Sequence, residues 1–355
     1  MPAVHRRFDL DMQLSVLDLV PVHTGQTSAD AVAATVSLAA RADALGYTRY
    51  WFAEHHNMAA VASTAPAVLA GVVAAQTQRI RVGSGGVMLP NHAPFVVAEQ
   101  FAALEAAAPG RIDLGIGRAP GSDQVITALL HQYGATSDVD RFPSHITDIL
   151  ALLGPGGAEI NLRSGQGYQV RATPSATGRP EVWLLGSSDY SATLAARLGL
   201  PYVFANHFSG EGIERALELY RANFVPSVWL DAPRTFLTLN AVVADTADEA
   251  EARALPNLNQ MARLRTGKPL GALELVEEAA AYVPDAAEQR LVEVMRERWV
   301  IDEPVAAAQR VRDLAERHGV TEVMVSPGAG AYADEAPYRS PGRERTLELL
   351  AKELL

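Results

Sequence analysis

One short stretch of the sequence, Glu54-His55-His56, joins a carboxylate and two imidazoles at the end of an apolar run. Neighbouring side chains in an extended strand point to opposite faces, so His55 and His56 are poorly placed to bind one metal ion together. The helical zinc motif H-E-x-x-H is absent, and no metal site is predicted. A histidine titrates near neutral pH, which suits a general base. His55 is therefore a candidate catalytic residue, with two structural histidines as the alternative.

Two glycine-rich segments also end apolar runs. "IRVGSGGVML" contains Gly85 and Gly86, and "LGIGRAPGS" contains Gly117 and Arg118. The second segment is a loose relative of the dinucleotide-binding fingerprint, but Pro120 interrupts the turn and the strand is not the first of the chain. The glycines are better explained by close approach of a flat ligand, or by a bulge. Arg118 would offer a positive charge there, unless it is a surface arginine.

A third segment, "WLLGSSDYS", predicts the start of a helix directly after a strand that ends at Gly186. Free N–H groups and the hydroxyls of Ser187, Ser188 and Ser191 favour an anion site, although simple N-capping has the same local sequence. Arg141 precedes another helix, where the helix dipole disfavours a cation. A bound anion would explain Arg141, and a salt bridge is the alternative.

The elements that must position these residues alternate between strand-like and helix-like segments. The strand-like segments cover residues 14–20, 47–54, 80–89, 111–117, 182–186, 202–206, 234–244 and 321–327. Eight repeated β-α units predict an α/β fold, namely a (β/α)8 TIM barrel with insertions after strands 4 and 7. An open doubly wound sheet is the alternative. The chain is expected to be a single domain over 1–355, with 256–300 as a candidate lid. The candidate residues then lie where strands end, which is where the sites of such barrels are built.

Composition narrows the range of functions. The 355 residues carry a net charge of −11 and include no cysteine. The acidic balance argues against nucleic acid or an acidic membrane as partner. The absence of cysteine excludes a thiolate nucleophile, a Cys-ligated zinc and an iron–sulfur cluster. With neither a signal peptide nor a transmembrane span in the sequence, we expect a cytoplasmic protein.

Three longer segments in this order resemble the bacterial-luciferase-like flavin-dependent monooxygenases, in particular their non-luminescent branch. They are "ALGYTRYWFAEHHN", "VGSGGVMLPNHAPFVVAEQFAALEAAAPGRIDLGIGRAPGSD" and "RPEVWLLGSSDYSATLAARLGLPYVFANHF". The resemblance runs from about residue 12 to 210 and more loosely to the end. It implies a (β/α)8 barrel that takes reduced FMN from a separate NAD(P)H:flavin reductase. It also implies O2 as co-substrate and oxygenation of a small organic substrate through a C4a-peroxyflavin, in some relatives to tailor natural products. A homodimer is implied as well.

The resemblance also implies roles for single residues. His55 matches the catalytic base and Glu54 matches a glutamate near the flavin, so both are candidate catalytic residues. Gly85 and Gly86 match a pair joined by a cis peptide bond beneath the ring. Arg118 and Arg141 match arginines that hold the phosphate. Further residues match family positions that lie along the edge of the flavin ring and beside its phosphate: Gly117, Leu185, Gly186, Ser187, Ser188 and Ser191. His92 and His207 are candidates for the substrate side.

Some features depart from luciferase itself. Gly117 stands where luciferase has a cysteine, Ser187 stands where it has a glutamate, and residues 256–300 have no clear counterpart. Light emission and long-chain aldehyde specificity are therefore not implied. Two other functions stay open: hydride transfer with a deazaflavin (F420), and flavin binding without catalysis.

Overall fold

Eight parallel strands close into a barrel in this chain. The computed structural model describes residues 12–133, 139–208 and 210–355. The prediction that the chain has no signal peptide concerns an N-terminal segment that lies mostly outside these residues. The strands are β1 (Gln13–Asp18), β2 (Arg49–Phe52), β3 (Arg81–Met88), β4 (Ile112–Gly117), β5 (Ala158–Asn161), β6 (Gly167–Val170), β7 (Glu181–Gly186), β8 (Tyr202–Phe204), β9 (Leu237–Val243), β10 (Val300–Asp302) and β11 (Glu322–Pro327). The helices are α1 (Ser28–Leu45), α2 (Pro66–Ala74), α3 (Pro94–Ala107), α4 (Gln124–Tyr133), α5 (Phe142–Leu153), α6 (Asp189–Leu198), α7 (Ile213–Ala222), α8 (Ala247–Arg265), α9 (Val276–Ala281), α10 (Ala286–Arg298), α11 (Pro304–His318) and α12 (Pro341–Leu354).

The barrel order is β1, β2, β3, β4, β7, β8, β9, β11 and back to β1. Closure is made where Phe204 of β8 pairs with Leu237 of β9, and where Gln13 of β1 pairs with Glu322 of β11. The predicted TIM barrel is confirmed, and the alternative prediction of an open doubly wound sheet is wrong. All the barrel strands are parallel, so their carboxyl ends open at the same mouth.

Additional elements interrupt the β-α alternation at two places. The antiparallel hairpin β5–β6 lies between the fourth and fifth barrel strands. Helices α8 to α10 and strand β10, which pairs with β9, lie between the seventh and eighth barrel strands.

Two element boundaries differ from what the local sequence favours. Proline normally ends a helix, but α8 continues through Pro256. Proline removes a helical hydrogen bond, and an outside donor, Gly330 N–H, bonds to the carbonyl of Arg253 at 2.7 Å in the same turn. Strand β2 ends at Phe52 rather than at residue 54. Glu54, His55 and His56 therefore lie in a loop, where the alternation of a strand no longer fixes the direction of their side chains.

The lower part of the barrel is filled by side chains. Arg49 forms buried ion pairs with Asp113 (3.0 Å) and Glu322 (2.7 Å). Above this charged layer, the rings of Trp51, Trp183 and Phe236 pack with centroids 5.0–5.6 Å apart. A ligand can therefore enter only at the opposite, carboxyl end of the strands. Of the described helices, none is both long and apolar enough to cross a membrane.

Candidate active site

A buried carboxylate organises one side of the barrel mouth. Glu54 is completely buried, and its Oε1 accepts hydrogen bonds from Nε2 of His56 and Nε2 of His92, each at 2.9 Å. Met88 N–H donates to Oε2 at 3.0 Å, and Asn91 Nδ2 lies 3.3 Å from Oε1. Burial alone would raise the pKa of Glu54, but the hydrogen bonds from the two histidines and Met88 lower it to about 2. Glu54 is therefore a fixed anion that ties the loop after β2 to the segment after β3.

The loop after β4 packs against the same cluster. His56 N–H donates to the carbonyl of Gly121 at 3.0 Å, and Asn91 Nδ2 donates to the carbonyl of Pro120 at 2.8 Å. Gly121 has a φ of +65°, and a Cβ there would lie 2.7 Å from the carbonyl oxygen of Glu54. Only glycine fits this contact, so the segment that begins at Arg118 is locked onto the Glu-His-His segment.

His55 differs from its two neighbours. Its backbone N–H bonds to the carbonyl of Ser63 at 2.9 Å. Its Nδ1 is buried and makes no hydrogen bond within the described chain. Burial lowers the pKa of His55, the charge of Glu54 raises it, and His56 lowers it again, with a net decrease. At neutral pH His55 is therefore an uncharged imidazole with an unused nitrogen, which suits proton transfer with a ligand.

The other two candidate histidines have different surroundings. His92 is bonded to Glu54, so its Nε2 is not available to a substrate. His207 lies in the turn after β8, and its Nδ1 is 3.2 Å from Oγ1 of Thr238. Burial, and repulsion from His55 when that ring is protonated, lower the pKa of His207 to about 4. Among the described residues, no group of three or more His, Cys, Asp or Glu side chains is arranged to hold a metal ion.

The peptide bond between Gly85 and Gly86 is cis, as the family resemblance implies. A Cβ at Gly85 would lie 2.7 Å from Cδ1 of Leu17, and one at Gly86 would lie 2.8 Å from the carbonyl oxygen of Gly115. These glycines are thus required by close packing between neighbouring barrel strands. Contact of the same glycines with a flat ligand stays a prediction.

The residues beside this glycine pair are also tightly packed. Gly117 is buried at the end of β4, and a Cβ there would lie 3.0 Å from Sδ of Met88. Leu185 is half-buried in β7, and its Cδ1 would lie 2.9 Å from a Cβ placed on Gly115. The surface between β3, β4 and β7 is therefore formed by backbone and by the Leu185 side chain.

A cationic group lies beside the start of helix α6. The guanidinium of Arg118 stacks on the ring of Tyr190, 4.2 Å from its centroid, and makes no ion pair within the described residues. Ser188 is the N-cap of α6, yet its side chain makes no capping hydrogen bond. Ser187 and Ser188 are exposed. An arginine and a helix start with free N–H groups make a suitable anion site, and the simple N-capping alternative does not occur.

The remaining candidates lie around this anion site or near another helix start. Gly186 allows α6 to approach β7, because a Cβ there would lie 2.7 Å from Cβ of the buried Ser191. Arg141 is the N-cap of α5 and is exposed. Within the described residues Arg141 forms no salt bridge, so that alternative explanation does not apply. Its backbone carbonyl accepts a hydrogen bond from Oγ of Ser144 at 2.8 Å.

Two contributors to this mouth were missed in the sequence. Tyr190 directly follows the Ser-Ser-Asp segment, and an aromatic residue in the first turn of the predicted helix was the available signal. Thr238 lies inside an apolar strand, and no local pattern distinguishes it. Its role depends on the pairing of β8 with β9.

Comparison with known proteins assigns the chain to a family. Residues 12–322 match the family model described as luciferase-like monooxygenase. The chain belongs to this family. It is 43% identical over 260 residues to the luciferase-like monooxygenase of Escherichia coli (strain K12), which covers 73% of this chain and 75% of that protein. It is 32% identical over 335 residues to the N-acetyl-S-alkylcysteine monooxygenase of Bacillus subtilis (strain 168), with 92% and 96% covered.

Solved structures of this luciferase-like fold agree with the assignment. Apo-MsnO8 superposes with a TM-score of 0.82 at 33% identity, covering 96% of this chain and 98% of the other. The fold is shared by the oxygenating constituent of 3,6-diketocamphane monooxygenase from Pseudomonas putida in complex with FMN (TM-score 0.69, 18% identity, 97% and 98% covered). It is also shared by the F420-dependent tetrahydromethanopterin reductase from Methanopyrus kandleri (TM-score 0.66, 15% identity, 97% and 98% covered). These last two show likeness of fold alone.

Proposed function

We propose that this luciferase-like family member is an FMN-dependent monooxygenase that uses reduced FMN and O2 to oxygenate a small organic substrate. One observation carries the proposal: the barrel mouth combines an anion site at Arg118 and α6 with an uncharged His55 whose Nδ1 has no partner in the part of the chain that the structure describes. The first suits a phosphate, and the second suits proton transfer with a bound ligand.

The residues of this chain would divide the work as follows. Arg118, Arg141 and Ser188 would hold the phosphate of FMN, and Gly85-Gly86 would lie beneath the ring system. When bound, reduced FMN would supply the two electrons that activate O2, so that one oxygen atom enters the substrate and the other leaves as water. His55 would accept or return a proton at Nδ1. The candidate lid 256–300 would exclude water from the mouth.

The fixed geometry of the Glu54 cluster would support His55. Because Glu54 is buried and bonded to His56 and His92, it acts best as a positioning residue for the loop that carries His55. Its low pKa keeps it ionised throughout the physiological pH range. A catalytic proton transfer by Glu54 itself is therefore not part of the proposal.

For the organic substrate, we propose N-acylated S-alkylcysteines as the first class to examine. The support is the 32% identity over 92% of this chain with a relative that is named for this substrate class. Reduced FMN would come from a separate NAD(P)H:flavin reductase, as the family resemblance implies.

The test of function is turnover with photoreduced FMN, N-acetyl-S-benzylcysteine and ¹⁸O2, with the product analysed by mass spectrometry. We expect one labelled oxygen atom in the product and none when FMN is omitted. Anaerobic turnover with reduced F420 would instead establish a deazaflavin enzyme. Tight FMN binding without turnover on a panel of thioethers, ketones and aromatic substrates would establish a flavin-binding protein.

The phosphate assignment is tested separately with Arg118→Ala. Loss of a charge-assisted contact should weaken FMN binding by about 10- to 100-fold and leave riboflavin binding nearly unchanged. Arg41→Ala, which removes an exposed arginine paired with Glu348, is the matched control. Equal losses for FMN and riboflavin would contradict the assignment.

We also propose a homodimer, with helices α2 and α3 at its interface. Helix α2, "PAVLAGVVA", has no polar side chain, although Val68 and Val72 are 64% and 40% exposed. Phe95 and Val96 at the start of the neighbouring α3 are 41% and 48% exposed. A helix without a polar face is normally covered, and a second copy of the same face would cover it.

A further inference from the structure

The turn that carries His207 is held firmly on strand β9. Asn206 N–H donates to Oγ1 of Thr238 at 3.0 Å, and Asn206 Nδ2 donates to the carbonyl of Thr238 at 2.9 Å. Asn240, two residues further along β9, donates from Nδ2 to the carbonyl of His207 at 2.7 Å. His207 is thus fixed at the mouth by hydrogen bonds that neither the anion site nor the Glu54 cluster uses.

These bonds determine which nitrogen of His207 carries the proton. The Thr238 hydroxyl has one hydrogen, and its shorter contact, 2.9 Å to the carbonyl of Phe204, takes it. Oγ1 of Thr238 must then accept a hydrogen bond from Nδ1–H of His207 at 3.2 Å. Burial, and repulsion from His55 when that ring is protonated, lower the pKa of His207 to about 4, so at pH 7 the ring has one proton, on Nδ1. Nε2 of His207 is therefore an unprotonated hydrogen-bond acceptor.

The position of this acceptor connects it to the proposed active site. The two nitrogens of an imidazole point in different directions, so Nε2 faces away from Thr238 and the barrel wall. Within the described residues Nε2 makes no hydrogen bond. His207 follows β8, and His55, whose Nδ1 also has no partner among the described residues, follows β2 at the same mouth of the barrel. His207 is half-buried and its Nε2 is not enclosed by the chain, so a donor group of a ligand in the mouth can reach it.

We propose that Nε2 of His207 accepts a hydrogen bond from an N–H or O–H group of the organic substrate, and that Thr238 fixes His207 in the tautomer that does so. The proposal rests on the proposed function, because it places this contact beside the atom to be oxygenated. Substrates with an amide, hydroxyl or similar donor are then favoured over otherwise identical molecules that lack it. An acceptor left without a partner penalises the analogue that has no donor.

The first test is independent of turnover. In protein labelled with ¹⁵N-histidine, the ¹⁵N chemical shifts at pH 7 should show His207 protonated at Nδ1 and unprotonated at Nε2. Thr238→Val should move the proton toward Nε2, and Thr238→Ser should restore the wild-type pattern because it keeps the hydroxyl. A wild-type His207 protonated at Nε2, or a tautomer indifferent to Thr238→Val, overturns the proposal.

The second test measures binding to the enzyme with oxidised FMN, using N-acetyl-S-benzylcysteine against its N-methylated amide, and benzyl alcohol against benzyl methyl ether. We expect at least one donor-bearing probe to bind about 10-fold or more tightly than its methylated analogue. His207→Asn should abolish this preference, since asparagine can retain the bond to Thr238 but has no atom at the Nε2 position. His318→Asn, at a buried histidine of the outer helix α11, should keep it.

A preference that persists in His207→Asn overturns the proposal, and so does the absence of any preference, including failure of all probes to bind. Neither binding nor the tautomer requires oxygen transfer. A protein that shows both effects but forms no labelled product would refute the monooxygenase function and leave the role of His207 standing.

Discussion

Replacement of Glu54 by glutamine tests whether this buried carboxylate holds the mouth together. The pKa of Glu54 falls from an ordinary value of 4.5 to about 2. At roughly 1.36 kcal/mol per pKa unit, the native contacts favour the ionised carboxylate by about 3 kcal/mol at neutral pH. Glutamine has a similar shape but no charge, and its NH2 group would face one of the N–H donors that now bond to the carboxylate. Glu54→Gln should therefore lose about 3 kcal/mol of unfolding free energy at pH 7.

The effect has a defined pH dependence. A carboxylate with a lowered pKa stabilises the native state fully above its unfolded-state value of 4.5, and the stabilisation is lost as the pH falls towards 2. The deficit of Glu54→Gln relative to wild type should shrink to about 2 kcal/mol at pH 3.5. Urea unfolding curves at pH 7 and pH 3.5, with the slopes compared, measure both values.

The control is Glu348→Gln, which removes a carboxylate paired with Arg41 and Arg345 on the surface. Surface pairs contribute little, so this variant should change the unfolding free energy by less than about 1 kcal/mol. If Glu54→Gln costs no more than the control at pH 7, or if its deficit does not depend on pH, the cluster is not held by an ionised Glu54 and the reasoning is refuted.

Further predictions concern other parts of the molecule. His55→Ala should leave FMN affinity nearly unchanged, by fluorescence titration, but abolish substrate oxygenation; weak flavin binding with retained turnover would reverse the role assignment. Val68→Asp combined with Val72→Asp should convert a dimer to a monomer in analytical ultracentrifugation, whereas a wild-type monomer would refute the interface. Arg343→Met should lower the unfolding free energy by about 3 kcal/mol in urea, because it leaves the buried Asp18 without its cation. A loss below 1 kcal/mol would show that Asp18 does not depend on this pair.

The sequence by itself determined the architecture and the positions from which the site is built. Each of the eight predicted strand segments overlaps one barrel strand of the structure. Because parallel strands share one carboxyl edge, the residues that end them are brought to one mouth without any knowledge of the contacts. This is why His55, Gly85, Arg118, Ser188 and His207 could be grouped in advance.

The partners of these residues could not be predicted in the same way. The sequence suggested that Glu54 and His55 act together and that His92 lies near the substrate. The structure instead bonds His92 to Glu54, 38 residues away, and Nδ1 of His55 has no partner among the residues described. The strand pattern was a poor guide here because β2 ends at Phe52, so the following residues have loop conformations set by the neighbouring segments.

Tertiary structure alone decided the chemical state of the site. The tautomer of His207 depends on a hydroxyl of β9, and Arg118 is placed beside α6 by the ring of Tyr190. The mouth is further held by the pair Asp18–Arg343, 325 residues apart in the chain. Periodicity reports which face of an element is buried, and it carries no information on which distant side chain closes a hydrogen bond. That information exists only once the barrel closes and burial removes water as the competing partner.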